Sequence, residues 1–132
     1  MGRVERFEEL VAWQKARILT KETCAITRQP NVAREFGFVQ QLQRAVVSVM
    51  SNIAEGFERG GRGEFHQFLL AAKSSCAETR SLLYVALDAG YIDQAKFDDL
   101  LAKAEEVARI VGGLRAAVER QRNEQHPKRR EI

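Results

Sequence analysis

Few residues in this chain have the types and spacing that metal binding or catalysis requires. The chain holds two histidines, His66 and His126, and two cysteines, Cys24 and Cys76. A di-iron site in a helical bundle needs a Glu-x-x-His pair on each of two helices, whereas Glu64 lies two residues before His66 and on a different helix face. The cysteines do not form a closely spaced metal-binding pair. The sequence therefore predicts no metal centre.

Two other chemical patterns are incomplete. A serine–histidine–acid arrangement would have to recruit His66, and no neighbouring residue favours that role. The Gly-Gly-Arg-Gly run at 60–63 lacks the Lys-Ser/Thr pair of a phosphate-binding P-loop, and no predicted strand precedes it. We therefore expect a protein that is not an enzyme and that carries no cofactor.

The most informative polar residues follow one side of a predicted helix. This polar row consists of Gln41, Arg44, Ser48, Asn52 and Glu55. At 100° per residue they fall within about 80° of one another and border the apolar stripe of the same helix. A solvated face is one interpretation, but such faces are usually rich in Lys and Glu. Ser and Asn are mediocre helix formers, and Gln, Ser and Asn all suit specific hydrogen bonds, so contact with another helix or another subunit is the sharper interpretation.

Four segments with helical periodicity must position these residues. They cover about residues 7–28, 38–58, 64–89 and 94–121, with Asp93 as the N-cap of the last. Short connections between long helices are typical of antiparallel neighbours. The predicted fold is all-α, an antiparallel up-down-up-down four-helix bundle over residues 1–121.

The first predicted helix is apolar on two sides. One side carries Phe7, Leu10, Val11, Ile18 and Ala25. The other side carries Ala12, Ala16, Leu19, Thr23 and Ile26. Trp13 falls outside both. A helix that is apolar on two sides must be covered on two sides, and another subunit could supply the second cover.

Glycine and proline mark the predicted ends of the helices. Pro30 stops the first helix, the glycines between Gly56 and Gly63 end the second, and Gly90 reads as the C′ residue of the third. The pair at 112–113 is unusual because it lies inside the fourth helix. A close backbone approach or a kink would account for it, and so would a tolerated weak point.

Composition bounds the class of protein and its compartment. The chain has 132 residues, of which 45% are hydrophobic and 30% charged, as in one globular domain. No apolar stretch approaches the roughly 18 residues that a membrane span needs. With only two cysteines a disulfide framework is not expected, so we predict a cytoplasmic protein without membrane contact.

The net charge of +3 comes from the end of the chain. Residues 115–132 hold six basic and three acidic residues, which leaves fifteen of each elsewhere. We expect residues 122–132 to form a basic, disordered tail. Such a tail either contacts phosphate or serves as a soluble terminus.

The motif Gln-Leu-Gln-Arg-Ala at 41–45, followed by Asn-Ile-Ala-Glu-Gly at 52–56, resembles a known family. It is similar to the four-helix-bundle proteins named for intervening sequences in 23S ribosomal RNA genes. The likeness extends over about residues 7–115 and includes the segment around Trp13. Ser74 stands where that family commonly has glycine, and Val39 where it commonly has a capping threonine.

This resemblance implies a role in assembly more than in chemistry. The family is similar in fold to the accessory protein of diversity-generating retroelements, which pairs with a reverse transcriptase and binds nucleic acid. Characterised relatives form rings of five bundles. We therefore expect a homopentameric scaffold or adaptor whose interface includes Trp13, the polar row and Gly56. The alternative is an accessory protein that binds RNA or DNA phosphates through basic residues. The candidates are Arg44, Arg59, Arg62, Lys73 and Arg80.

Overall fold

A computed structural model describes residues 3–125 of the chain. It contains a 3-10 turn at Phe7–Glu9 and five α-helices. These are α1 (Val11–Thr27), α2 (Pro30–Ala33), α3 (Phe36–Arg59), α4 (Arg62–Asp88) and α5 (Gln94–Gln125). Helices α1, α3, α4 and α5 are the four predicted from periodicity.

The start of the first helix differs from the prediction. Leu10 has extended backbone angles (φ −72°, ψ 127°), so the segment predicted as one helix begins as a 3-10 turn and becomes α-helical only at Val11. The Glu9 carboxylate holds this turn by accepting hydrogen bonds from the backbone N–H groups of Glu5 (2.8 Å) and Arg6 (3.2 Å). The turn places Phe7 over the end of the bundle, where it packs against the core.

The connection after α1 contains a short helix that the sequence did not predict. Helix α1 ends at Thr27, as Pro30 indicated, but Pro30 also occupies the first position of α2. Proline suits that position because its fixed φ is helical and no amide hydrogen is needed there. The turn buries Val32 completely, which ties the connection to the core.

The other connections follow the predicted turn chemistry. Gly60 (φ +81°) ends α3, and Gly90 (φ +77°) follows α4, in the left-handed region that favours glycine. The Asp93 carboxylate caps α5 by accepting a hydrogen bond from the N–H of Lys96 at 2.8 Å. Helix α5 continues to Gln125, so the disorder expected from residue 122 does not begin there. Residues 126–132, which include His126, lie outside the described residues.

The four long helices pack as a closed cycle. Helix α1 contacts α3 and α5, while α4 contacts α3 and α5, so α1 and α4 lie diagonally opposite. Consecutive long helices are neighbours joined by short connections, which confirms the predicted helical bundle. Nearly all predicted inward positions are buried or half-buried.

The core continues along the bundle in two clusters. The larger joins the middle of the bundle to the end where α3 turns into α4, and includes Leu19, Val49, Leu69 and Val107. The smaller surrounds Val32 at the opposite end. Alanines at contact positions of every long helix, such as Ala16 and Ala72, allow the helices to approach closely.

The glycine pair in α5 has no steric role within the described residues. A Cβ added at Gly112 or Gly113 meets no atom within 4 Å, and α5 runs through both glycines without interruption. A close backbone approach is therefore excluded there.

Gly113→Ala should stabilise the protein. Gly113 is exposed, and alanine favours a helix interior over glycine by about 0.5–1 kcal/mol, so the midpoint of urea unfolding should rise. A lower midpoint would contradict this and would indicate that a second chain packs on Gly113.

Both cysteines are free thiols within helices. Cys76 is fully buried between core residues, and this burial raises the pKa of its thiol to about 11, although the nearby Arg80 opposes the shift. Cys24 is half-buried, and burial also raises the pKa of its thiol. A neutral thiol is a poor nucleophile, so neither cysteine is activated for chemistry.

We expect iodoacetamide to modify Cys76 only after unfolding, as measured by mass spectrometry of the native and urea-treated protein. Above pH 9 the unfolded chain ionises this thiol first, so wild-type stability should fall relative to Cys76→Ala as the pH rises from about 9 to 11. Rapid labelling of Cys76 at neutral pH would contradict the buried position.

Candidate interaction surfaces

The polar row divides into an inner and an outer part. Ser48 and Asn52 are half-buried and form one hydrogen-bonded cluster with Ser75 of α4. The Ser48 and Ser75 hydroxyls are 2.9 Å apart, and the Asn52 amide donates to the Ser48 hydroxyl at 2.9 Å and to the Ser48 carbonyl at 2.8 Å. These residues therefore join two helices of the same chain, which is one of the two contacts that the sequence suggested.

The outer part of the row faces solvent. Gln41, Arg44 and Glu55 are exposed, and none of them makes a side-chain hydrogen bond or ion pair with another described residue. They lie on the α4 side of α3, because they share a helix face with Ser48, which contacts Ser75 of α4. This part of the row is free for contact with another molecule.

Gly56, at the end of the motif, lies where α3 and α4 approach each other closely. A Cβ added there would lie 2.5 Å from Cβ of Phe68 and 3.0 Å from Cδ1 of Phe65. Phe65 in turn packs edge-on against Phe57, with ring centroids 5.9 Å apart. Only glycine fits, so this residue has a packing role inside the chain.

Trp13 lies against the core of its own chain. Its ring is half-buried and packs edge-on against Phe7, with centroids 5.2 Å apart. The Arg17 guanidinium lies over the ring at 5.8 Å from its centroid. These contacts anchor the 3-10 turn to α1.

The predicted apolar side that runs from Phe7 and Leu10 along α1 is only partly covered. Those two residues pack into the core, whereas the rest of the side does not. Its outer row consists of Val11, Ile18 and Ala25, which are all exposed in the single chain. Ion pairs between α1 and α5 border this row, from Lys15 to Glu106 (3.6 Å) and from Glu22 to Lys103 (3.1 Å). Hydrogen bonds to Asp99 and Glu22 raise the pKa of Lys103, which keeps that border charged.

The five basic candidates do not form one patch. Arg59 pairs with Glu64 at 3.6 Å and lies over the ring of Phe68, while Arg62 donates to the Gln121 side chain at 3.3 Å. Arg44 lies on the outer part of the polar row. Only Lys73 and Arg80 come together.

Lys73 and Arg80 line the groove between α4 and α5, and they are joined there by Arg109 of α5. None of the three forms an ion pair with a carboxylate of residues 3–125. Sequence reasoning missed Arg109. It lies three residues before Gly112 on α5, and both line this groove. Sequence reasoning also missed Ser75, which only the packing of α3 on α4 identifies.

His66 has a structural partner. Its Nε2 lies 3.0 Å from the Glu119 carboxylate, which links α4 to α5, and no serine completes a catalytic arrangement with it among the described residues. Within residues 3–125 no three His, Cys, Asp or Glu side chains are grouped as metal ligands. No helix in that range is long and apolar enough to span a membrane.

The fold and its surfaces define an all-helical bundle of four long helices with no recognisable catalytic group in the part described. The chain belongs to the 23S rRNA-intervening sequence protein family, whose model matches residues 8–113. The resemblance of the motif at 41–56 is thereby confirmed.

A solved structure has a similar fold. It is the crystal structure of a protein of unknown function from the S23 ribosomal protein family of Bacteroides thetaiotaomicron. The TM-score is 0.72 with 20% sequence identity, over 79% of this chain and 97% of that chain. At this identity the similarity shows the fold alone. A comparison with curated proteins gave no match.

Proposed function

We propose that this protein is a non-catalytic scaffold that assembles from identical copies, with five copies in a ring. The observation that carries the proposal is the uncovered outer row of α1. Val11 is 54% exposed and Ile18 is 46% exposed, although both belong to a helix whose opposite side is fully buried. An apolar strip bordered by ion pairs is the usual anatomy of a subunit interface.

A second copy of the chain is the proposed occupant of this row. The outer row borders α5, whereas the exposed part of the polar row borders α4, so the two surfaces lie on different sides of the bundle. A contact that uses two different surfaces is head-to-tail, and head-to-tail contacts form a ring when the rotation between neighbouring copies closes and an open filament when it does not. The number five rests on the family resemblance alone, because characterised relatives form rings of five bundles.

Light scattering after gel filtration tests the proposal. Five copies of a 14.9 kDa chain weigh about 75 kDa. A monomer at micromolar concentration would overturn the scaffold. A dimer would overturn the ring and indicate instead that outer rows of two copies pair with each other.

A second candidate function, nucleic-acid binding, is favoured by the three cations in the α4–α5 groove. Lys73, Arg80 and Arg109 line the same groove and form no ion pair with a carboxylate of residues 3–125, so their charges are available to phosphates. A ring would repeat this groove and strengthen weak contacts. The proposed protein partner, on the family resemblance alone, is a reverse transcriptase or another nucleic-acid enzyme. Two free thiols favour the cytoplasm.

Titration of a labelled oligonucleotide at several salt concentrations tests nucleic-acid binding. Affinity should fall as salt rises, and the double variant Lys73→Ala/Arg109→Ala should bind more weakly with a smaller salt slope. The single variant Lys73→Ala has a matched control in Lys96→Ala, because each removes one exposed cation and Lys96 lies away from this groove. Absence of binding at low salt would overturn this function.

A further inference from the structure

The α4–α5 groove contains two adjoining hollows that share Arg80 and Glu105. One, of about 450 Å³, is lined by Ala77, Arg80, Ser81, Tyr84, Leu101 and Glu105. The other, of about 330 Å³, is lined by Lys73, Arg80, Glu105, Ala108, Arg109 and Gly112. The first offers an aromatic ring and apolar walls, whereas the second offers most of the positive charge.

Tyr84 provides a fixed aromatic surface in the first hollow. The side chain is 52% exposed. Its ring is held in place by an edge-on contact with the buried Phe97, at 4.8 Å between centroids. A flat ligand that stacks on Tyr84 would also contact Leu101 and Ala77, which line the same hollow.

Glu105 is the one acidic residue that lines the two hollows. A carboxylate opposes phosphate at that point, but it accepts hydrogen bonds from the exocyclic amino group of cytosine, adenine or guanine. Thymine and uracil have no such group, and their one donor on this edge, the ring N3–H, lies between two carbonyl oxygens that repel a carboxylate. The face of an amino-bearing base can thus stack on the Tyr84 ring while the amino group at its edge donates to the Glu105 carboxylate.

The second hollow, which adjoins the first on one side, offers positive charge for a phosphate next to that base. Lys73 and Arg109 supply charge, and the missing side chain at Gly112 leaves room for a sugar–phosphate backbone, because a Cβ there would meet no atom within 4 Å. A base in a duplex is already paired and stacked, so it cannot enter the first hollow.

We propose that the α4–α5 groove binds single-stranded nucleic acid by stacking one unpaired, amino-bearing base on Tyr84 and holding its amino group with Glu105. This inference rests on the proposed nucleic-acid binding and names the ligand of the same groove. In this proposal Tyr84 contributes to the affinity for the strand, and Glu105 determines which base is preferred.

Fluorescence anisotropy with labelled 12-nucleotide oligo(dC), oligo(dT) and a mixed-sequence duplex, all at the same low salt, tests the proposal. Oligo(dC) should bind several-fold more tightly than oligo(dT), and the duplex more weakly than oligo(dC). Tyr84→Ala should weaken oligo(dC) binding about tenfold, whereas Tyr84→Phe should retain it. Glu105→Ala should bring the oligo(dC) and oligo(dT) affinities together without loss of binding.

The outcomes separate the two proposals. Equal binding of oligo(dC) and oligo(dT) by the wild type, or a preference that survives Glu105→Ala, overturns the base contact. Duplex binding as tight as oligo(dC) binding, or an unaffected Tyr84→Ala variant, overturns the unpaired base while nucleic-acid binding stands. If no oligonucleotide binds, nucleic-acid binding itself fails and this inference fails with it.

Discussion

Gly56→Ala is expected to lower the free energy of unfolding by about 2–3 kcal/mol, which corresponds to a melting temperature lower by about 10 °C. The added methyl group would lie 2.5 Å from Cβ of Phe68, an atom fixed to the backbone of α4. Rotation of the Phe68 side chain does not move its Cβ, so the two helices themselves must separate. Thermal unfolding followed by circular dichroism measures the loss.

Gly113→Ala is the matched control for this prediction. It adds the same methyl group to a helix interior, but in open space, and should therefore stabilise the protein. Opposite signs for the two variants would separate steric conflict from helix propensity. An unchanged melting temperature for Gly56→Ala would mean that α3 and α4 can move apart without loss, contrary to the close packing described above.

Ile18→Glu is expected to convert the assembly into monomers. Ile18 lies in the centre of the outer row, between Val11 and Ala25, so a neighbouring subunit would bury the new carboxylate without a partner. Such a charge costs several kcal/mol in an interface but little on an exposed helix face. Light scattering should give a mass near 15 kDa in place of about 75 kDa, with an unchanged helical circular dichroism spectrum.

Val85→Glu is the matched control for Ile18→Glu. Val85 is also 46% exposed, but it lies on α4, diagonally opposite α1. The same change of charge and size there should leave the subunit number as in the wild type. If Ile18→Glu keeps the wild-type mass, the outer row is not the interface. If Val85→Glu alone dissociates the assembly, α4 carries the contact instead.

The four long helices could be predicted because each has an apolar stripe with the helical period, and the stripes of α3 to α5 coincide with the buried side chains. The exact ends of the helices could not be predicted in this way. Leu10 leaves the helical conformation although its position fits the stripe of α1, since the Glu9 carboxylate caps the preceding turn. Pro30 follows the end of α1 and is also the first residue of α2. A proline in the sequence is compatible with either role, so the sequence alone does not reveal the second helix.

The candidate surfaces were only partly accessible to sequence reasoning. Periodicity on one helix identified the polar row, but not that Ser48 would meet Ser75, because that contact depends on the rotation of two helices about their axes. In the same way, Lys73 and Arg80 share a face of α4, whereas Arg109 joins them from a helix distant in sequence. The family motif contained Gly56, but only the distance to Phe68 explains why glycine stands there.

The position of α1 between α3 and α5 has a consequence for synthesis on the ribosome. Helix α1 is made first, but one of its two neighbours is made last, so the nascent chain exposes part of its core until residues 94–125 emerge. The α3–α4 hairpin, with a tight turn at Gly60, can form earlier. Synthesis of α5 is therefore the step that protects the core from aggregation, and chains that end before residue 94 should depend on chaperones.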